Sequence, residues 1–283
     1  MRLGVHPLTI LLAGSMVLMF LAPSSSRNRE PVRWAAYYSG VKPPSGFSGF
    51  RLLVLDGDSH PPLEPLRRGR TLLGYISVGE AQQTREYFDG IKTQGLLAGE
   101  NENWPGSFFV DVRDSRWNEK VRILVADIIR QGFDGIFLDT VDDAEYLEDK
   151  DPQAYAGMKD AMAGLILGVR REFPGIPIAV NRGYSILPQI DGSIDYVLGE
   201  SVRAGYDFAS KTYKRIPDDL YLEQLTTLKT AKLRNPKLTI LTLDYWNPDD
   251  AVGIKRIYRE QRANGFIPYV ATLELDRLVE EPR

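Results

Sequence analysis

Acidic residues close several short apolar runs along this 283-residue chain. Residues 52–56 end in Asp56 and lead to Asp58, and residues 72–77 run into Val78-Gly79-Glu80. Ile136-Phe-Leu-Asp139-Thr-Val-Asp142 follows, then Asn181-Arg182, Gly199-Glu200-Ser201 and Asp244-Tyr245-Trp246. An acid that directly ends an apolar run is badly placed for simple solvation. Asp139 and Glu200, the latter after Val197-Leu-Gly, are therefore the candidate catalytic pair. Two carboxylates from different segments suit glycosidic hydrolysis, in which one protonates the leaving oxygen and the other attacks or activates water.

The remaining polar candidates surround that pair. Asp56, Glu80 and Asp244 are expected to orient a ligand, or else to pair with Arg182 or backbone amides. Asp142 and Asp143 read as caps of the turn before the next helix, with Asp142 also able to face substrate. Asp58 and His60 read as loop residues. Tyr37, Tyr38, Tyr75, Trp104, Tyr184, Tyr206, Tyr245 and Trp246 fall at or just past strand ends, where flat side chains can stack on sugar rings. Tyr245-Trp246 beside Asp244 is the favoured stacking pair. Tyr75, Asn181, Arg182 and Tyr184 complete the expected substrate-binding set.

Composition removes the competing chemistries. The chain has no Cys and two His, His6 and His60, so a thiol nucleophile, a zinc-thiolate site and a His-rich catalytic metal site are excluded. A Ser-His-Asp triad would have to use His60 in its Pro-flanked loop. The formal charge is −3, which argues against a nucleic-acid partner. No G-x-G-x-x-G follows a strand and no P-loop is present, so no cofactor is expected. The same acids could hold Mg²⁺ or Mn²⁺ for phosphoryl transfer, but no strong basic cluster accompanies them, and no metal is expected.

These acids need a frame that brings strand ends together. Runs rich in β-branched and aromatic residues at 34–38, 52–56, 72–77, 135–139, 177–181, 195–199, 238–244 and 266–271 alternate with helical stretches. Eight such βα units predict a single (β/α)8 barrel over 32–283, with its site on the loops at the C-terminal strand ends. A doubly wound open sheet is the rival. A ninth run, 108–112, reads as an extension before the third helix, which Asp114-Ser115 caps. Asp151-Pro152 and Asn247-Pro248-Asp249-Asp250 are expected to open helices, and Gly132 and Gly265 to end them.

Ahead of the barrel, Leu8 to Ala22 is uncharged, shorter than the roughly 20 apolar residues of a relaxed membrane span. Residues 1–24 are expected to be a signal peptide or an uncleaved anchor, and 25–31 a linker. Export follows, with membrane contact only through that segment. Arg2, Arg27, Arg29 and Glu30 leave with it, so the rest carries 32 basic against 37 acidic residues, a net of −5.

Six motifs in order carry a family resemblance. Gly74-Tyr-Ile-Ser-Val-Gly-Glu80, Gly132-Phe-Asp-Gly-Ile-Phe-Leu-Asp139-Thr-Val-Asp142, Asn181-Arg-Gly-Tyr184, Val197-Leu-Gly-Glu200-Ser201, Leu243-Asp244-Tyr245 and Gly265-Phe-Ile-Pro-Tyr269 resemble glycoside hydrolase family 114. That family includes endo-α-1,4-polygalactosaminidases and hydrolase domains of bacterial exopolysaccharide proteins. The resemblance implies a (β/α)8 barrel that hydrolyses α-1,4 linkages in a galactosamine-rich polysaccharide. It also implies that Asp139 attacks the anomeric carbon and Glu200 protonates the leaving oxygen, or the reverse. Free galactosamine is cationic, so Asp56, Glu80, Asp142 and Asp244 would favour it electrostatically. The alternative from another class is a barrel that binds carbohydrate without cleaving it.

Overall fold

The computed structural model describes residues 32–282, and in it eight parallel strands follow one another in chain order. They are Trp34–Tyr37, Leu52–Asp56, Thr71–Ser77, Gly135–Asp139, Ile178–Asn181, Tyr196–Glu200, Thr239–Tyr245 and Ile267–Ala271. Each end lies within one residue of the sequence expectation. The strands are buried over nearly their whole length, which fits a parallel sheet covered on both faces.

Seven parallel ladders join neighbouring strands. The first and eighth strands meet differently: the Trp34 indole donates to the Ile267 carbonyl at 2.8 Å. Beyond the strand end, the Tyr38 amide donates to the Leu275 carbonyl, also at 2.8 Å. The sheet therefore curls round into a nearly closed (β/α)8 barrel, not a doubly wound open sheet.

Helix Ser115–Gln131 shows how local sequence builds a unit. Asp114 accepts from the Arg116 amide at its start, and Gly132 ends it at φ 109°, a left-handed conformation suited to glycine. Its buried face, Trp117, Val121, Val125 and Ile128, follows helical spacing. Helix Ala251–Ala263 is capped by Asp250, which accepts from the Gly253 amide. Asp151 behaves otherwise than expected. Its carboxylate accepts from the Gln153 and Ala154 amides, forming a closed turn, and the helix begins only at Met158 after left-handed Gly157.

Two insertions extend the barrel mouth. After the third strand, Glu80–Gln82, Leu97–Glu100 and Ser107–Val110 form an antiparallel sheet, so the run expected as a plain extension is largely its central strand. After the sixth strand, Ala204–Asp207 and Thr212–Arg215 form a hairpin. Among the described residues, no helix is long and apolar enough to cross a membrane. The expected leader 1–24 and linker 25–31 lie outside the described residues.

Candidate active site

Asp139, Asn181 and Glu200 end the fourth, fifth and sixth barrel strands. Side chains alternate along a strand, so Phe137 with Asp139, Leu198 with Glu200, and Leu243 with Tyr245 all face one central cavity of about 420 Å³. After each of the three polar residues the chain turns through a left-handed residue that is not glycine: Thr140 at φ 61°, Arg182 at 52° and Ser201 at 51°. That conformation is unfavourable for such residues and clusters at functional sites. Here it bends the backbone away immediately behind each cavity-facing side chain.

One nitrogen holds the two carboxylates. Asn181 Nδ2 donates to Asp139 Oδ1 at 2.7 Å and to Glu200 Oε2 at 2.5 Å. Those two oxygens consequently lie within about 5 Å of each other, the short end of the range known for paired carboxylates in glycosidases. The Tyr245 hydroxyl donates to Glu200 Oε1 at 2.7 Å. Burial, and then the charge of Glu200, push Asp139 up to about 7. Donors on Asn181, the Thr140 amide and Tyr75 pull the other way. Burial also lifts the Tyr38 and Tyr75 hydroxyls well above their ordinary range, with nearby carboxylate charge adding to the effect.

A wall of acids flanks the pair. Glu80 is buried and accepts from Asn101 Nδ2 at 2.5 Å and from the Ser107 hydroxyl. Burial, then the charge of Glu80, raises Asp143 well above the usual carboxylate range. Gly79 permits this approach, because a β-carbon there would lie 2.2 Å from the Thr140 carbonyl oxygen and 2.9 Å from Asp143 Cβ. Asp142 makes no side-chain cap to the helix that follows and pairs instead with Arg182 Nε at 3.3 Å. Tyr38, Tyr75, Trp104, Glu80, Asp142, Asp143 and Arg182 all line the same cavity as Asp139 and Glu200.

Four expected ligand residues lie elsewhere. Asp56 is claimed by a bidentate contact from Arg85 at 2.7 and 3.1 Å, plus the Asp58 and Ser59 amides. Burial opposes its charge, but these donors outweigh burial and leave it below the ordinary range. Asp244 is fully buried outside the cavity, accepting from the Arg203 and Ala204 amides and from Gln261 Nε2. Burial pushes it up to about 6. Trp246 donates to Asp250 at 2.9 Å, beside the following helix, so the expected Tyr245-Trp246 stacking pair is split. Tyr184 turns towards the outer helix and donates to Gln224 Oε1 at 2.9 Å.

Some contributors escaped the sequence reading. Asp143 was expected as a cap but lines the cavity, while Asn101 and Ser107 serve the site through Glu80. The acid-rich Asp142-Asp143 pair was a signal; the two partners of Glu80 had none. Tyr37 is buried and its hydroxyl accepts from the Lys42 amide, away from the cavity. His60 contacts Gln131 and the Pro61 carbonyl, as a loop residue would.

Comparison with known proteins bears on the family and the fold. The glycoside hydrolase domain of PelA from Pseudomonas aeruginosa is 27% identical, with a TM-score of 0.78 over 89% of this chain and 98% of that one. The fold is shared with Aspergillus fumigatus Ega3, whose structure is a complex with galactosamine, at 14% identity and a TM-score of 0.69 over 88% and 94% of the two chains. An uncharacterized protein of Thermotoga maritima is 28% identical over 256 residues, covering 82% of this chain and 78% of its own. The model of glycoside hydrolase family GH114 matches residues 20–283, a span that contains every barrel strand and both paired carboxylates. The protein is a glycoside hydrolase and belongs to family 114.

Proposed function

We propose that the protein is an exported, endo-acting, retaining hydrolase of α-1,4 linkages in a galactosamine-rich polysaccharide. The observation that carries this reading is the pair Asp139 and Glu200 held on one Asn181 nitrogen. Facing oxygens no more than about 5 Å apart leave no room for a water between acid and base and favour a covalent intermediate. One proton on the pair supplies one carboxylate to attack and one acid to protonate. Asp139, short and served by donors on Asn181, Thr140 and Tyr75 that favour its charged form, is the nucleophile once the shared proton stands on Glu200. Glu200, with one more rotatable bond and held by Asn181 and Tyr245, is the acid and base. Glu80 and Asp142 give the cavity a negative wall for a cationic sugar. The galactosamine complex of Ega3 supports that choice. The leader 1–24 directs export, the linker 25–31 follows it, and 32–283 is the catalytic domain.

Reducing-end release from a galactosamine polymer tests the reading. Asp139→Asn and Glu200→Gln are expected to lose roughly 10³-fold in kcat or more while remaining folded. With an activated aryl glycoside, whose departure needs no acid, azide should restore turnover to the Glu200 variant by attacking the glycosyl-enzyme in place of water, leaving a glycosyl azide of retained α configuration. The first product should keep the α configuration by NMR, and EDTA should leave the rate unchanged. Wild type that binds the polymer but releases no ends, or variants that cleave normally, would overturn the assignment.

A further inference from the structure

Two turns from the barrel insertions meet at the mouth. Trp104 lies between strands Leu97–Glu100 and Ser107–Val110, after the third barrel strand, and Phe208 lies at the tip of the hairpin after the sixth. Their ring centroids are 5.4 Å apart at 79°, edge to face. In that arrangement at least one face of each ring is free of the other. Both rings are exposed, 48% for Trp104 and 42% for Phe208, which is unusual for two large apolar side chains in contact. Trp104 also lines the cavity that holds Asp139 and Glu200.

Both turns are braced. Asn103 and Trp104 amides bond Asn101, the Gly106 amide bonds Glu100, and the Ser107 amide bonds the Trp104 carbonyl. Asn101 is the residue that also donates to Glu80, so the Trp104 turn is fastened to the acidic wall. On the other side Phe208 packs on Tyr206, and Tyr206 on Tyr213, each at 5.3 Å. The Tyr213 hydroxyl accepts from the Leu273 amide, in the loop after the eighth strand. Asp207 bonds the Ser210 amide and pairs with Lys214 across the hairpin. The rings are thus held in place without a ligand, so binding to them costs little side-chain ordering.

We propose that Trp104 and Phe208 form an aromatic clasp that grips the aminosugar polymer beside the point of cleavage. This rests on the hydrolase reading above and adds a binding site outside the catalytic pair. The apolar C–H face of a pyranose fits a free ring face, and an ammonium group is attracted to the face of an indole. A linear chain in the cavity passes the clasp because Trp104 is part of the cavity wall. The clasp therefore serves long chains and has little to offer a short fragment confined to the catalytic centre.

The test compares an α-1,4-galactosamine polymer with its trimer as substrates for wild type, Trp104→Ala, Phe208→Ala and Trp104→Tyr. Removing one ring is expected to raise KM for the polymer roughly tenfold with kcat changed less than about twofold, and to affect the trimer much less. Trp104→Tyr, which keeps a flat face, should recover most of the loss. A polymer KM that stays constant, or equal losses on polymer and trimer, overturns the clasp.

A binding measurement stands apart from hydrolysis. Trp34 and Trp117 are buried, so Trp104 is the indole most open to solvent among the four. Titrating full-length Glu200→Gln with polymer should change its tryptophan emission, and adding Trp104→Phe should abolish that change. No emission change, or one that survives Trp104→Phe, sinks the proposal even if hydrolysis is established. Wild type that releases no reducing ends yet shows the Trp104 response would refute the hydrolase reading and keep the clasp.

Discussion

Asp139 and Glu200 accept their hydrogen bonds from the same nitrogen, Asn181 Nδ2. A shared donor holds two like charges close while offsetting part of their repulsion. It also couples their titrations, so the pair, not either residue, sets the pH dependence.

Activity requires one proton on the pair, and Asp139 is raised to about 7 by burial and by Glu200. The alkaline limb of kcat/KM is therefore expected near pH 7, where that proton is lost. Asn181 favours the charged form of Asp139, so Asn181→Ala should raise the pair's upper pKa and move this limb upward by roughly half a unit or more. The pH–rate profile of the variant checks it. A limb that stays in place or moves to lower pH would contradict the shared-donor account.

The acidic wall predicts selectivity for charge. Glu80→Gln removes a buried carboxylate that accepts from Asn101 and Ser107, and should raise KM for free-amine polymer roughly tenfold. KM for an N-acetylated polymer should change far less. Wild-type KM on the free amine should also rise with ionic strength, since salt screens the attraction. Equal responses to the two polymers would remove the wall from substrate selection.

Asp244 offers a stability test away from the cavity. Its folded pKa of about 6 lies above the unfolded value of roughly 3.9, so its contribution to stability is full below about pH 4 and declines as pH rises through 6. Asp244→Asn should flatten that decline. The Gln261 amide can turn over, bringing its unpartnered Oε1 to the new donor. Its Tm relative to wild type should thus improve from pH 4 to pH 7, with activity kept. Asp244→Ala strands the buried Arg203 and Ala204 amides and should cost about 2 to 4 kcal/mol. Thermal melts at both pH values decide it.

Much of the frame was readable from short-range chemistry. Strand runs, the Asp114 and Asp250 caps and the left-handed Gly132 and Gly265 each depend on a few neighbouring residues. Asp139 and Glu200 were readable because each ends an apolar run. What failed depended on strand facing and on distant partners. Asp244 and Tyr245 are adjacent on one strand and must face opposite sides, so they could not both serve the mouth. Asp56 is answered by Arg85 from a later loop, and Asp143 is buried by the loop carrying Gly79. No local pattern announces such pairings. The Ala204–Asp207 and Thr212–Arg215 hairpin is short and partly polar, and its Phe208 gave no periodic signal.

The seam between the first and eighth strands leans on the segment that follows the barrel. Beyond the Trp34 bond and the packing of the Trp34 ring on Tyr269 at 5.6 Å, its polar fastenings involve residues after the last strand. Leu275 takes the Tyr38 amide and Glu280 pairs with Arg33, while the buried Val279 amide donates to the Tyr269 hydroxyl and ties this segment to the eighth strand. Removing residues 275–283 is therefore expected to leave the first strand joined to the eighth through the Trp34 contacts and to lower the melting temperature of the barrel.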